Sequence, residues 1–290
     1  MEFKADPVAV FWDHASLWRK LRLLRMVGAL KSPTAEKYVR EMYDLRKKDG
    51  GFSRGPGEVS TVSATGEAIL DLTVLHKKSP MIAGGVKFLW ALQNSNGGWH
   101  ENPNLPKDAV PFWSSTEKGV PILTADCIEA AVEAGYGEDA HTIGGVEWLK
   151  TMQSASGMWL SLEGADPSDS DPDSTQRAIS ALIRYGMPRS SEPIRRGCTA
   201  LEHFVLEEAG DWAMTHPPMW PWTAALEGLV AAGYDASFKA SHLALGHILR
   251  LRQEDGSRPN QYEIRVVPVL IALRLMSTDS VLATIREREP

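Results

Sequence analysis

Apolar residues recur three and four positions apart along most of the chain, and the pattern comes in two alternating kinds. The first kind carries charge on one side and runs into Gln, Lys or Arg and then Gly, a combination that stops a helix. It occurs as YVREMYDLRKKDGGF (38–52), GGVKFLWALQNSNGGW (84–99), GGVEWLKTMQSASGMW (144–159), ALEHFVLEEAGDW (200–212) and LALGHILRLRQEDGS (243–257). The second kind is richer in Ala and other small residues, which predicts burial on most faces. Its copies are VSTVSATGEAILDLTVL (59–75), PILTADCIEAAVEAGY (121–136), DSTQRAISALIRYG (173–186), WPWTAALEGLVAAGY (220–234) and QYEIRVVPVLIALRLM (261–276). Several of these open on Ser, Thr or Asp, which serve well as N-caps.

The two copies at 84–99 and 144–159 match nearly position for position: Gly-Gly-Val, an aromatic, Leu, then Gln and a glycine turn closed by Trp. Spacing between copies is about 45 to 60 residues, more than a helix hairpin needs, so the excess goes into loops. An apolar segment at about 8–30 supplies one more inner helix, and DSVLATIRER (279–288) one more outer helix. No strand is predicted. Six inner and six outer helices can close into a toroid, and neither terminal pair looks like a polar cap. The expectation is therefore all-α: a single (α/α)6 toroid spanning 1–290. All inner helices then run the same way. Their N-terminal ends, with the long loops 97–120 and 157–172 that enter them, meet at one mouth. Exposed N–H groups and helix dipoles favour anions there, and function is expected at that mouth.

Composition narrows the partners. The net charge of −6 argues against broad nucleic-acid binding. The longest apolar run, VVPVLIAL (266–273), is too short to span a bilayer, and the N-terminal residues lack a signal-peptide layout. Cys127 and Cys198 form no CxxC pattern and fit small core residues of a reducing compartment, so a cytoplasmic location is expected. Residues 19–48 hold ten Lys and Arg against three acids. They form either a solvated face or a peripheral contact with anionic lipid or a prenyl diphosphate, with Leu17, Leu21 and Leu24 as its apolar side. Glu67, Glu129, Arg177 and Glu227 fall inside inner helices, where a charge must be paired or face a polar cavity.

The Gly…aromatic…Gln…Gly-x-Trp pattern resembles the QW motif of squalene–hopene cyclases and related terpenoid cyclases, whose toroid is shared by protein prenyltransferase β subunits. Class II terpene cyclases carry Asp-x-Asp-Asp-Thr at the start of an inner helix, and its middle Asp protonates an alkene or epoxide. Here Asp171-Pro-Asp173-Ser174-Thr175 is similar, with Ser174 where the family has its last Asp. The resemblance implies proton-initiated cyclisation or isomerisation of an isoprenoid. Asp173 would be the acid, Asp171 its partner, and Asp169, Ser174 and Thr175 support. A cavity built from Trp99, Trp113, Trp159, Trp220, Trp222, Tyr262 and Asp126 would stabilise carbocations. His100 or His216 would be the base that ends the cascade. No cofactor is implied, beyond a divalent cation such as Mg if the substrate is a diphosphate. Asp126 and Cys127 are adjacent on a helix and cannot share a face, which argues against the zinc site of the prenyltransferases. One toroid needs a lid against water: a homodimer, a membrane surface or the long loops.

Other readings stay open. The acidic stretch 169–175 also suits a plain helix cap or a cation loop. The whole could be a non-catalytic toroid for a hydrophobic ligand or partner protein, or an α/α-barrel enzyme acting on glycosides.

Overall fold

The computed structural model describes residues 6–215, 220–250 and 263–289. Its helices are α1 (Pro7–His14), α2 (Leu17–Met26), α3 (Pro33–Asp44), α4 (Val62–Leu75), α5 (Pro80–Trp90), α6 (Pro121–Glu133) and α7 (Ala140–Thr151). They continue as α8 (Pro172–Tyr185), α9 (Glu192–His203), α10 (Ala209–Thr215), α11 (Trp220–Ala231), α12 (Lys239–Arg250), α13 (Glu263–Ala272) and α14 (Thr278–Arg288). The inner ring runs α2, α4, α6, α8, α11, α13, and α13 packs back on α2 to close it. Helices α3, α5, α7, α9 and α12 each pack outside the inner helix that precedes them. The fold is an (α/α)6 toroid, all-α as the sequence predicts.

Three details differ from expectation. The segment at 8–30 is two helices, because Ala15 and Ser16 are extended; only α2 joins the inner ring. Helix α1 instead lies between α13 and α14. There, Asp6 accepts a hydrogen bond from Thr284 at 2.7 Å and Trp12 Nε1 donates to Glu289 at 2.9 Å. Two-residue strands, β1 (Phe52–Ser53) and β2 (Ser60–Thr61), pair as a small hairpin ahead of α4. The copy at 200–212 does not stop. Gly210 lacks the left-handed backbone of Gly50, Gly97 and Gly157, and α9 runs through a π-helical turn into α10.

The glycine turns fix where each inner helix begins. Gln93 Nε2 donates to Gly97 O and His141 O, both at 2.8 Å, and Gln153 Nε2 donates to Gly157 O at 2.8 Å and Pro193 O at 2.9 Å. Each Gln thus closes its own turn and holds the start of the next outer helix. Trp99 and Trp159 lie fully inside the core, each donating its indole N–H to the preceding helix, at Leu89 O and Leu149 O, at 2.7 Å. Their backbone N–H groups donate to Thr124 Oγ1 and Thr175 Oγ1 at 2.9 Å, and Phe52 does the same to Thr65. In α4, α6 and α8 one buried threonine therefore pins the helix to the turn before it. The weak copy at 38–52 follows the same geometry, with Phe52 in place of Trp.

The long loops are stitched together. Glu163 Oε2 accepts from Gly119 N at 2.8 Å, and its Oε1 from Asn96 at 2.6 Å. Buried Glu101 accepts from Val62 N at 2.9 Å, at the first turn of α4. These contacts hold the N-terminal ends of α4, α6 and α8 in place.

Candidate functional site

The stretch 169–175 splits into residues with separate roles. Asp171 is the N-cap of α8, accepting from Ser174 N and from Ser174 Oγ, each at 2.8 Å. Burial pushes its carboxyl up to about 6, against the Ser174 N–H bond, with the charge of Asp173 adding to the rise. Thr175 donates to Asp171 O and accepts from Trp159 N, as Thr65 does with Thr61 O and Phe52 N. Asp169 is exposed at the end of a short 3-10 turn and stands apart from the others.

Asp173 faces the ring interior. Both its oxygens are engaged by the Arg265 guanidinium, with Nη1 at 3.0 Å from Oδ2 and Nη2 on Oδ1. Trp220 Nε1 also donates to Oδ2, at 2.6 Å. Burial alone would raise this carboxyl. Arg265 overrides it and, with the Trp220 bond, holds Asp173 down at about 2. Arg265 also reaches Glu227 at 2.7 Å.

A chamber of about 800 Å³ fills the middle of the toroid. At mid-depth it is ringed by charge: Arg22 and Arg25 on α2, Glu67 on α4, Asp126 and Glu129 on α6, Arg177 on α8 and Glu227 on α11. Arg25 donates to Glu67 at 2.7 Å and to Asp71, whose side chain is fully buried and whose Oδ2 has no partner. One cation thus serves two carboxylates. Burial would raise Glu67, but Arg25 and Arg22 hold it at about 2, whereas burial with one orphan oxygen pushes Asp71 up to about 7. Arg177 stands 3.4 Å from Asp126. Burial raises both Asp126 and Glu129 despite Arg177, and Glu129 has no ion-pair or hydrogen-bond partner among the described residues.

Towards the C-terminal ends of the inner helices apolar side chains, Met26, Leu70, Val74, Ile183, Val230 and Ala272, share the wall with the Glu133–Arg184 ion pair. Met26 is 39% exposed and Val74 43% exposed, so the chamber opens at this end. That is opposite to the end at which the loop lengths place the functional mouth. Loops that are long because they build turns and caps need not border the cavity.

Of the predicted cavity residues, Asp126 lines the chamber, and Trp99, Trp113, Trp159, Trp220 and Trp222 do not. Trp99 and Trp159 are held between helices, and Trp113 packs against the core that α1–α6 share. Trp222 is stacked on His247 at 4.1 Å. Trp220 stacks on Trp212 at 5.5 Å while bonding Asp173. His100 bonds the carbonyl of Glu101 in its own loop. His216 and Tyr262 lie outside the described residues. No aromatic side chain lines the chamber among the described residues. The four inner-helix charges Glu67, Glu129, Arg177 and Glu227 all face it, as the need to pair or solvate them requires.

The basic segment 19–48 is not one surface. Leu21 and Leu24 are buried in the core, while Arg22 and Arg25 line the chamber, so α2 presents no amphipathic face outward. Among the described residues no helix is long and apolar enough to cross a membrane. Arg265 escapes the sequence reading altogether. Its only signal is a charge opening the apolar run of α13.

Residues 12–166 match the sequence profile of the squalene–hopene cyclase C-terminal domain. The chain belongs to the squalene–hopene cyclase family. No curated protein matches it by sequence. Among solved structures, a protein from Actinoplanes is similar at 18% identity and a TM-score of 0.64, over 89% of each chain. The apo type II terpene cyclase MstE from Scytonema is similar at 15% identity and a TM-score of 0.60, over 83% of this chain and 71% of MstE. An MstE variant bound to its substrate, geranylgeranyl dihydroxybenzoate, is similar at 14% identity and a TM-score of 0.61. At such identities these likenesses speak to the toroid of the squalene–hopene cyclase family and not to its chemistry.

Proposed function

We propose that this member of the squalene–hopene cyclase family binds an amphipathic small molecule of isoprenoid type inside its toroid. The polar head would sit at the charged belt and the hydrocarbon would run towards the apolar opening around Leu70, Val74, Ile183 and Val230. The observation that carries this reading is the lining of the chamber, ionic at mid-depth and mainly apolar at its mouth, where the Glu133–Arg184 pair leaves each charge matched. A carbocation cascade calls for a dry, aromatic cavity and a protonated acid. Asp173, clamped by Arg265 and Trp220, is an anion at neutral pH, so we assign it the role of holding Arg265 in the ring.

A second reading has its own observation. Asp126 and Glu129, three apart on α6, both line the chamber and are both raised by burial, and Glu129 has no ion-pair or hydrogen-bond partner among the described residues. A carboxylic acid so placed could protonate a bound alkene.

Incubating the protein with geranylgeraniol and with geranylgeranyl dihydroxybenzoate, followed by calorimetry and mass spectrometry, separates the two. Saturable binding with no cyclised product is the expected result. A cyclised product lost in Glu129→Gln but kept in Asp173→Asn would establish the second reading. A product lost in a folded Asp173→Asn would overturn both in favour of the motif acid.

A further inference from the structure

Inner helices α6 and α8 lie side by side and run in the same direction, so their inward-facing residues meet in rungs. Asp126, Glu129 and Glu133 are spaced three and four apart on α6, and Arg177, Ser180 and Arg184 repeat that spacing on α8. All six line the chamber. The first rung is an ion pair, with Arg177 at 3.4 Å from Asp126, and the last pairs Arg184 with Glu133. On the middle rung Glu129 has Ser180 opposite, where the pattern calls for a cation.

No other acid of the chamber is left in this way. Four arginines and five carboxylates line it, and every one except Glu129 has an ion-pair partner among the described residues. Two polar groups beside Glu129 are unengaged as well. The Ser180 hydroxyl and the side-chain amide of Gln176, one turn earlier on α8, make no hydrogen bond among the described residues. Gln176 is only 5% exposed yet lines the chamber, and a polar group so buried normally has a partner.

We propose that the middle rung takes a protonated amine, so that the ligand of the chamber is a cationic amphiphile with a primary ammonium head. This rests on the binding reading above and names the head that the belt takes.

The chemistry of the rung selects that head. Glu129 supplies the negative partner, and Gln176 Oε1 and Ser180 Oγ are further acceptors, so each N–H of an ammonium has one available. A hydroxyl head offers a single donor and leaves the Glu129 charge unmatched. A carboxylate or phosphate head would add a second anion beside it. Charge-assisted bonds of the ammonium kind are about twice as strong as neutral ones. Ile183, on the next turn of α8, then leads the hydrocarbon towards the opening.

Calorimetric affinities for geranylgeranylamine, geranylgeraniol and geranylgeranoic acid at neutral pH test this. The amine should bind one to one and about tenfold or more tightly than the alcohol, and the acid no better than the alcohol. Glu129→Gln keeps the shape, removes the charge and should abolish most of that preference. Ser180→Lys supplies the missing cation from the chain itself and should abolish it too. Thermal unfolding of the unliganded variants checks that each is folded. If the alcohol or the acid binds as tightly as the amine, or the preference survives in either folded variant, the ammonium site is refuted while the binding reading stands. If none of the three binds, that reading falls and the site falls with it.

Discussion

A guanidinium shared between two carboxylates decides what Asp173 can be. With Arg265 on both oxygens and an indole N–H on one, the carboxyl is stabilised as an anion, and removing its charge leaves Arg265 buried with Glu227 alone. Asp173→Asn should therefore cost about 3 kcal/mol in urea unfolding at neutral pH. A drop well under that figure would mean that the pair is solvent-relaxed. Titration adds a sign. Asp173 and Glu67 are held at about 2, below their ordinary values, so they stabilise the fold above about pH 4 to 5 and lose that stabilisation as pH falls towards 2. Asp71 has the opposite sign. Raised to about 7, it favours the fold below about pH 4 and loses that contribution as pH rises through 7. Asp71→Asn should flatten the stability profile between pH 4 and 7 and leave the variant more stable than the parent at pH 8. A variant less stable than the parent at pH 8 would show that the bond to Arg25 outweighs the burial of the charge. Little of this was legible beforehand. The partners Asp173 and Arg265 are 92 positions apart, and a pairing across the ring leaves no local trace in the sequence.

At the scale of elements the sequence was far more informative, because the repeat is a local device. Gln, a left-handed glycine and Trp lie within one turn, and their bonds close on that turn and on the helices beside it. The Trp ring then needs bare backbone on the next outer helix. A Cβ added at Gly145 would come within 2.3 Å of the Trp99 ring, and one at Gly197 within 2.8 Å of Trp159. Gly145→Ala should lower stability by about 1 to 3 kcal/mol through overpacking, and Gly145→Ala combined with Trp99→Phe should recover part of it. Additive losses in that double variant would place the strain elsewhere. The same locality explains why 169–175 was ambiguous. Asp, Ser and Thr at the start of a helix serve a cap, a repeat contact and an acid motif equally well, and only the partners of each oxygen separate them. Asp171, Ser174 and Thr175 are accounted for by capping and by the repeat, and Asp173 by Arg265.

For the molecule as a whole, the six-membered inner ring and its closure followed from the alternation of two helix kinds, whereas α1 and α10, which bring the described helices to fourteen, did not. The location of the chamber's opening did not follow, since loop length marks one end of the ring and the exposed apolar wall marks the other. Nor did the fate of residues 19–48, whose arginines read as one basic stretch. Helical geometry sends Arg22 and Arg25 inward from α2 and leaves Lys37 on the exposed face of α3. Periodicity of charge within a run matters here more than its total.

The contacts of α1 with α14 carry one more consequence. Asp6 touches Thr284, Trp12 touches Glu289, and Arg288 lies 3.1 Å from Asp13. The first and last described turns are thus neighbours, and the ring has no structural beginning. A short linker could join residue 289 to residue 6, and the chain could be reopened near the fully exposed Phe112. Such a circular permutant would present every helix with the neighbours it has now. What the order of synthesis contributes to this fold is then a matter of kinetics alone, since the closed ring would be the same from either starting point.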